Sequence, residues 1–300
     1  MLKNRLHIDE AKCRKCGICV TACPVKVFEK RNETISICYD KLDFCINCKD
    51  CISVCPSGSI TNQDFDLEKL PVDDIPYDIE KLLSNLKNRR TVRKYKNRSL
   101  TEEEIKYIGE VASLAPRGGH TEGVKNTGII IVKDINVIKK IRDYSYDYIC
   151  VLRKKLTSPI LKIGTIFNKS QNKSINSTVE RIDLALNLKQ HDIDMLTYDA
   201  PNLIILHCEK GSPVSRENAS IMEYQIMLGA EALGLGTCFL GWISFALQSF
   251  QVRKAKELKM INNILEVPVN REIVAVFSIG QKQFKYYKIK NREKCMITVK

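Results

Sequence analysis

The sequence predicts a chain of two domains that mixes α and β structure, and three observations carry that reading. Eight of the 13 cysteines, all within the first 55 residues, form two copies of one spacing. A stretch rich in acids and prolines follows, and beyond it helically spaced apolar residues are interspersed with short, wholly apolar runs. With 300 residues, 44% hydrophobic and 28% charged, the chain has globular composition and is too long for one small module. The boundaries read 1–63 for a cysteine-rich domain, 64–80 for a linker and 81–300 for the large domain.

The cysteines are spaced Cys13-x2-Cys16-x2-Cys19-x3-Cys23-Pro24 and Cys45-x2-Cys48-x2-Cys51-x3-Cys55-Pro56, an internal repeat. Three cysteines so spaced can wrap one iron–sulfur cube, and the fourth, displaced by three residues and stopped by proline, is aimed at the other cube. The expected ligand sets are therefore crossed: Cys13, Cys16, Cys19 and Cys55 on one 4Fe-4S cluster, Cys23, Cys45, Cys48 and Cys51 on a second. Structural zinc wants two C-x2-C pairs and has no use for the third cysteine or the closing proline. A disulfide scaffold is unexpected in a chain of this size whose first residues hold no apolar leader core, so reduced thiols and a cytoplasmic setting are expected. These runs resemble the bacterial two-cluster ferredoxin over residues 5–62. The resemblance implies one-electron transfer, and short strands at 25–28, 35–37 and 59–61. Cys38, outside both runs, reads as a small buried hydrophobe.

The linker is stiffened by Pro71 and Pro76. Ile79, Leu82, Leu83 and Leu86 then recur at helical spacing. Ser99 or Thr101 caps a second helix with Glu102, Glu103 and Glu104 in its first turn, where the helix dipole favours acids. Apolar strands are expected at 128–132, 200–206 and 273–279, and a long helix at 219–233. Tyr144, Tyr146 and Tyr148 alternate as on a strand, with packing as their role, and the polar run 168–178 reads as a mobile loop. Cys150, Cys208 and Cys238 sit in apolar settings and read as inert core. The greasiest stretch, 233–247, is broken by glycines and shorter than a bilayer span, so no membrane segment is expected. Its glycines follow a helix at the wrong spacing for a dinucleotide fingerprint, and Trp242 and Ile243 stand where a phosphate-binding loop needs Lys and Ser or Thr.

The net charge of +13 is concentrated in two places. Residues 87–98 carry seven basic side chains and no acid, and 281–300 carry seven basics with Glu293 alone, so the remainder is neutral. Eight thiolates on two oxidised clusters would bring the loaded protein to about +9. Two compact cationic segments suit a phosphorylated small molecule better than nucleic acid, because beyond Tyr95, Phe284, Tyr286 and Tyr287 they hold no stacking aromatics.

Four stretches in order, Arg89-Arg90-Thr91-Val92-Arg93, the loop from Ala115 to Gly123, the strand, helix and glycine turn ending at Trp242, and the last strand with its basic tail, resemble the FMN-dependent nitroreductase family. The likeness covers residues 80–295 and is to members with an N-terminal ferredoxin domain. It implies an α+β fold and an intertwined homodimer with one FMN in each of two clefts at the subunit interface. It further implies that Arg89, Arg90, Thr91 and Arg93 reach the flavin phosphate, ribityl chain and N1/O2 edge. Lys290 and Arg292, with Lys288 as the alternative, match the C-terminal phosphate clamp, and the Leu240 and Gly241 backbone N–H groups match the turn facing N5 and O4. Gly119 and His120 fall in the loop near the ring. Forked guanidinium donors suit a phosphate dianion, and a cation near N1/O2 stabilises the reduced flavin. That loop usually carries an asparagine and a glutamine, where this chain has His120 and Glu122, the candidate proton donors.

The function expected is that of an iron–sulfur flavoenzyme that passes electrons from the clusters to FMN and on to an electron-poor organic acceptor such as a nitroaromatic, quinone or conjugated alkene. Two alternatives stand beside it. In one, NAD(P)H reduces the flavin directly and the clusters are auxiliary; in the other, the protein transfers electrons or senses redox state without a dedicated substrate. The expected partners are a second copy of the chain, the small acceptor, and ferredoxin or NAD(P)H as donor, with no nucleic acid and no membrane.

Overall fold

The computed structural model describes residues 6–62, 78–116, 127–159, 169–211, 214–248, 255–288, 292–293 and 295–299. The chain divides into a small unit, Met1–Tyr77, and a large unit that begins at Asp78.

In the small unit, β1 (Leu6–Ile8) pairs antiparallel with β4 (Ile60–Asn62), and β2 (Phe28–Arg31) pairs with β3 (Thr34–Ile37). Each cysteine run opens a short helix, α1 (Ile18–Ala22) and α2 (Asp50–Ser53). Both helices start from a left-handed residue, Gly17 or Lys49, which turns the chain sharply enough to bring successive cysteines around one point. Val27, Phe28, Ile35, Leu42 and Ile60 form the core, with cysteines of both runs packed against it. The strands lie one to three residues away from the 25–28 and 59–61 positions expected, because the left-handed Lys26 keeps the start of the first segment from extending. Cys38 is half-buried rather than buried, and its N–H donates to the Val27 carbonyl at 2.7 Å.

The large unit is built on one antiparallel sheet in the order β5-β6-β8-β7, with β5 at Thr127–Val132, β6 at Asn202–Glu209, β7 at Leu235–Phe239 and β8 at Arg271–Gln281. The helices are α3 (Ile79–Asn88), α4 (Glu102–Ser113), α5 (Ile135–Leu156), α6 (Lys169–Gln190), α7 (Ser215–Ala232), α8 (Gly241–Gln248) and α9 (Ala255–Ile264). Asn202 to Cys208 are all buried, as an interior strand covered on both faces requires. Their side chains alternate between two cores. Leu203 and Ile205 join α5, α6, α8 and α9, while Ile204 and Leu206 join α4 and α7. Each fully buried aliphatic contributes about 1.5–3 kcal/mol.

Three local readings are corrected. Tyr144, Tyr146 and Tyr148 lie on α5, a helix of 22 residues, where Tyr144 and Tyr146 are buried in the core and Tyr148 packs against it. The run 168–178 read as loop because polar residues dominate it, yet residues 169–178 form the first half of α6, which is anchored by Ile182 and Ala185 further along. Tertiary packing of that second half decides the conformation of the first. The cap between Ser99 and Thr101 resolves to Thr101, whose side chain accepts from the Glu104 N–H while Glu104 reaches back to the Thr101 N–H, a complete capping box. Ile79 and Glu80 belong to α3 rather than to a linker, since Asp78 caps that helix by accepting from the Lys81 N–H at 3.0 Å.

Candidate functional site

Cys13, Cys16, Cys19 and Cys55 line one cavity of the small unit, and Cys23, Cys45, Cys48 and Cys51 line another. Among the described residues, no three His, Cys, Asp or Glu side chains close on a single metal ion. The thiols instead stand around a space, as a cube of iron and sulfide requires, and thiolate is the donor such a cube takes. Their acidities differ with surroundings. Burial, and then the thiols of Cys48, Cys23 and Cys45, push Cys51 up to about 12. Burial also opposes ionisation of Cys55, but hydrogen bonds from Ser59 and Ser57 outweigh it and bring this thiol down to about 7. The Ser59 and Ser57 hydroxyls stand 3.3 and 3.6 Å from the Cys55 sulfur.

In the large unit the arginine run is clipped to the sheet by its backbone. After α3 ends at Asn88 the chain extends, Thr91 bridges Thr237, and the Val92 N–H donates to the Thr237 carbonyl at 2.9 Å. Val92 is wholly buried against Gly236, where an added Cβ would stand 2.6 Å from the Val92 Cβ, so only glycine allows this approach. The Tyr95 hydroxyl donates to the Val92 carbonyl at 2.6 Å and lies 2.8 Å from the Ser278 hydroxyl. Lys96 N–H donates to the Gln281 carbonyl at 2.9 Å and Gln283 N–H to the Lys94 carbonyl at 3.2 Å, so the arginine run and the start of the tail form one ribbon.

Both cationic segments line a cleft of about 630 Å³ that has eight basic side chains, Lys87, Arg89, Arg90, Arg93, Lys282, Lys285, Lys288 and Arg292, and one carboxylate, Glu231. Glu231 is paired with Lys282, which leaves the cleft strongly positive. The Arg292 guanidinium donates to the Arg89 carbonyl at 2.8 Å, joining positions 203 residues apart. The Arg90 guanidinium stacks 3.8 Å from the centre of the Tyr286 ring. Arg89 Nε and Arg90 Nε are buried without a hydrogen-bond partner among the described residues. A buried charged donor left unpaired is costly, and a phosphate group in the cleft would supply the acceptor.

Arg89 and Thr91 also border a second depression of about 390 Å³, shared with Glu223, Tyr224 and Phe239. Phe239 in turn borders a third, of about 520 Å³, with Tyr148, Tyr198, Gly241 and Trp242. The first two share Arg89 and Thr91 and the last two share Phe239, and their linings run from basic to aromatic in that order. Burial alone pushes the Glu223 carboxyl up to about 7, so it is about half protonated at neutral pH.

The Leu240 N–H is bound to the Val276 carbonyl at 2.9 Å, so it is not open to a ligand as expected: Leu240 ends the β7 pairing and is 3% exposed. Gly241 is the first residue of α8 and borders the aromatic depression. Gly119, His120, Glu122 and Lys290 lie outside the described residues. Tyr286 was noted only as an aromatic of the tail, and Glu223 went unrecognised in the sequence. An aromatic inside a basic tail was the available signal for the first; for the second there was none, because a lone glutamate on a helix has no distinguishing pattern.

The sequence pattern of the nitroreductase family matches residues 86–281, more than half of the chain. The chain belongs to the nitroreductase family. A second match, to the 4Fe-4S dicluster domain over residues 12–59, makes the N-terminal unit of this nitroreductase-family chain a ferredoxin domain. That unit is similar to a ferredoxin of Methanothermococcus thermolithotrophicus, 41% identical over 56 residues, which are 18% of this chain and 90% of that protein. The chain is also similar to the NAD(P)H-quinone oxidoreductase subunit I of Gloeobacter violaceus, 26% identical over 132 residues, which are 40% of this chain and 58% of that subunit. The fold is shared with two solved nitroreductases with bound FMN. The one from Bacteroides fragilis has a TM-score of 0.52 at 18% identity, covering 73% of this chain and 98% of that one. The one from Desulfitobacterium hafniense has a TM-score of 0.53 at 17% identity, again covering 73% and 98%. Among the described residues no helix is long and apolar enough to cross a membrane.

Proposed function

We propose that this nitroreductase-family protein is an FMN-dependent oxidoreductase in which two 4Fe-4S clusters feed electrons to the flavin for delivery to an electron-poor organic acceptor. FMN supplies the exchange between single electrons and pairs that such a route needs. The observation that carries the reading is the junction of the two cationic segments: the Arg292 guanidinium on the Arg89 carbonyl, in a cleft where two buried guanidinium nitrogens lack an acceptor. Arg89, Arg90, Lys288 and Arg292 would hold the phosphate, with Lys290 beside them in sequence. Thr91 and Arg93 would meet the ribityl chain and the ring edge, while Phe239 and Gly241 floor the aromatic depression where the ring and a planar acceptor stack. Glu223, about half protonated at pH 7 and at the edge shared with Arg89, is an acid that can hand over a proton there. Crossed ligation of the clusters is supported by the way the eight cysteines divide between two cavities.

A second copy of the chain is the partner this reading requires. The helix α3 buries none of its residues and leaves Ile79, Leu82 and Leu83 exposed; Ile221, Tyr224, Phe239 and Phe245 of the same unit are exposed as well. Apolar side chains left uncovered on this unit, Tyr224, Phe239 and Phe245 among them lining its depressions, mark a surface for association.

The test is rapid mixing of the full chain and of a variant beginning at Asp78 with reduced ferredoxin and, separately, with NAD(P)H. The shortened protein should bind FMN, because the cleft lies entirely within the large unit, and lose reduction by ferredoxin. Equal flavin reduction by ferredoxin in both proteins would overturn the cluster-to-flavin route, and fast reduction by NAD(P)H in both would favour the alternative in which the clusters are auxiliary.

A further inference from the structure

The second cysteine run repeats the first 32 positions further on, so residues of one half can be compared directly with their counterparts in the other. The fourth cysteine of each run accepts a backbone N–H, Cys23 from Val27 at 3.3 Å and Cys55 from Ser59. Only Cys55 has hydroxyls as well, with Ser59 at 3.3 Å and Ser57 at 3.6 Å, where the counterparts beyond Cys23 are Val27 and Val25. Ser59 is 2% exposed, so water does not compete for its hydroxyl. A second difference lies on the other side of the pair. Asp50 opens α2 with its carboxyl and its backbone N–H both at the Cys48 sulfur, and its counterpart in the first run is Ile18. The basic side chains bordering the cavities balance, Arg14 on one and Lys49 on the other.

We propose that Ser57, Ser59 and Asp50 hold the two clusters at different potentials, the one on Cys13, Cys16, Cys19 and Cys55 being the higher. This rests on the two-cluster reading given above. Reduction adds one negative charge to a cluster, shared with its sulfurs. A hydroxyl donating to a ligand sulfur stabilises that extra charge, and a carboxylate beside one opposes it. Both differences have the same sign, so the first electron to arrive rests on the cluster that Cys55 completes. Ser57 and Ser59 are positioning and tuning residues; they are not ligands.

Anaerobic holoprotein, assayed for iron and sulfide, is titrated with dithionite through redox mediators and followed by low-temperature electron paramagnetic resonance. Wild type should give two separate one-electron waves. In Ser59→Ala the upper wave should move to lower potential by about tenfold in the reduced-to-oxidised ratio, or about 59 mV, while the lower wave stays in place. Ser57→Ala, at a half-buried position, should move the same wave less and serves if Ser59→Ala loses iron. Asp50→Asn should raise the lower wave and narrow the gap. A single merged wave in wild type, or serine variants that shift the lower wave or neither, would overturn the proposal. Four irons per chain or bound zinc would instead remove the two-cluster reading beneath it.

Discussion

Replacing Gly236 by alanine should lift the arginine run off the sheet. The new Cβ would stand 2.6 Å from both Cβ and Cγ2 of Val92 and 2.8 Å from Cγ1, whereas ordinary contact begins at 3.4 Å, so a displacement of about 0.8 Å is needed. Val92 cannot yield by rotation alone, since its Cβ is among the atoms struck. Its backbone is also held at both ends, by the N–H to Thr237 at 2.9 Å and by the Tyr95 hydroxyl on its carbonyl at 2.6 Å. Overpacking of this kind costs about 1–3 kcal/mol, and a domain of this size loses about 2–4 °C of Tm per kcal/mol. The displaced backbone carries Arg89, Arg90 and Arg93, whose charge-assisted contacts with a phosphate are worth about 1.5–3 kcal/mol each. Loss of about one such contact weakens FMN roughly ten- to a hundredfold. Thermal unfolding and flavin-fluorescence titration of Gly236→Ala, Val92→Ala and the double variant form a cycle. Trimming Val92 to alanine removes Cγ1 and Cγ2, two of the three atoms the new methyl strikes, so the double variant should be more stable and bind flavin better than the two single effects predict together. Simple additivity, or an unchanged Tm and affinity in Gly236→Ala, would refute the idea that the Gly236 contact seats the arginine run.

Arg89→Ala and Arg292→Ala should each weaken FMN by roughly ten- to a hundredfold while circular dichroism stays native; unchanged flavin retention in both would refute the clamp. Cys55→Ser should damage the cluster of Cys13, Cys16 and Cys19 and spare that of Cys45, Cys48 and Cys51, which Mössbauer or paramagnetic resonance spectra of the variant can distinguish. The holoprotein should hold about eight irons and eight sulfides per chain, with zinc in their place as the contrary result. His207, 8% exposed and 3.2 Å from the Arg271 guanidinium, is held down to about 4 by burial first and that charge second. Because the unfolded chain protonates this histidine near 6.5 and the folded one only near 4, stability is full above 6.5 and falls as pH drops through that window. The loss should be about 1–3 kcal/mol, read by denaturant unfolding of Trp242 fluorescence, and His207→Gln should flatten it.

The cysteine runs and the 4Fe-4S domain they build were legible in the sequence, because ligand spacing, proline stop and turn chemistry are local. Strands such as 202–209 and the Thr101 capping box were legible for the same reason: a continuous apolar run and an S/T-x-x-E pattern carry their physics within a few residues. The charge arithmetic singled out the two cationic segments without locating either in space. Their meeting at Arg89 and Arg292 depends on the β7–β8 pairing and on the Gly236–Val92 contact, which no local pattern encodes. Where local pattern and packing disagreed, packing prevailed. The alternating tyrosines became a helix face and a polar run became the first half of α6, because helical stability comes mainly from the buried face a helix presents to its neighbours. The Leu240 N–H was taken by the sheet, and Glu223 acquired its raised pKa from burial beside a cleft assembled by residues distant in the chain. The sequence by itself determined the donor types and where along the chain they cluster; only the tertiary structure decided which of them share a cavity, since desolvation and proximity are properties of the packed chain.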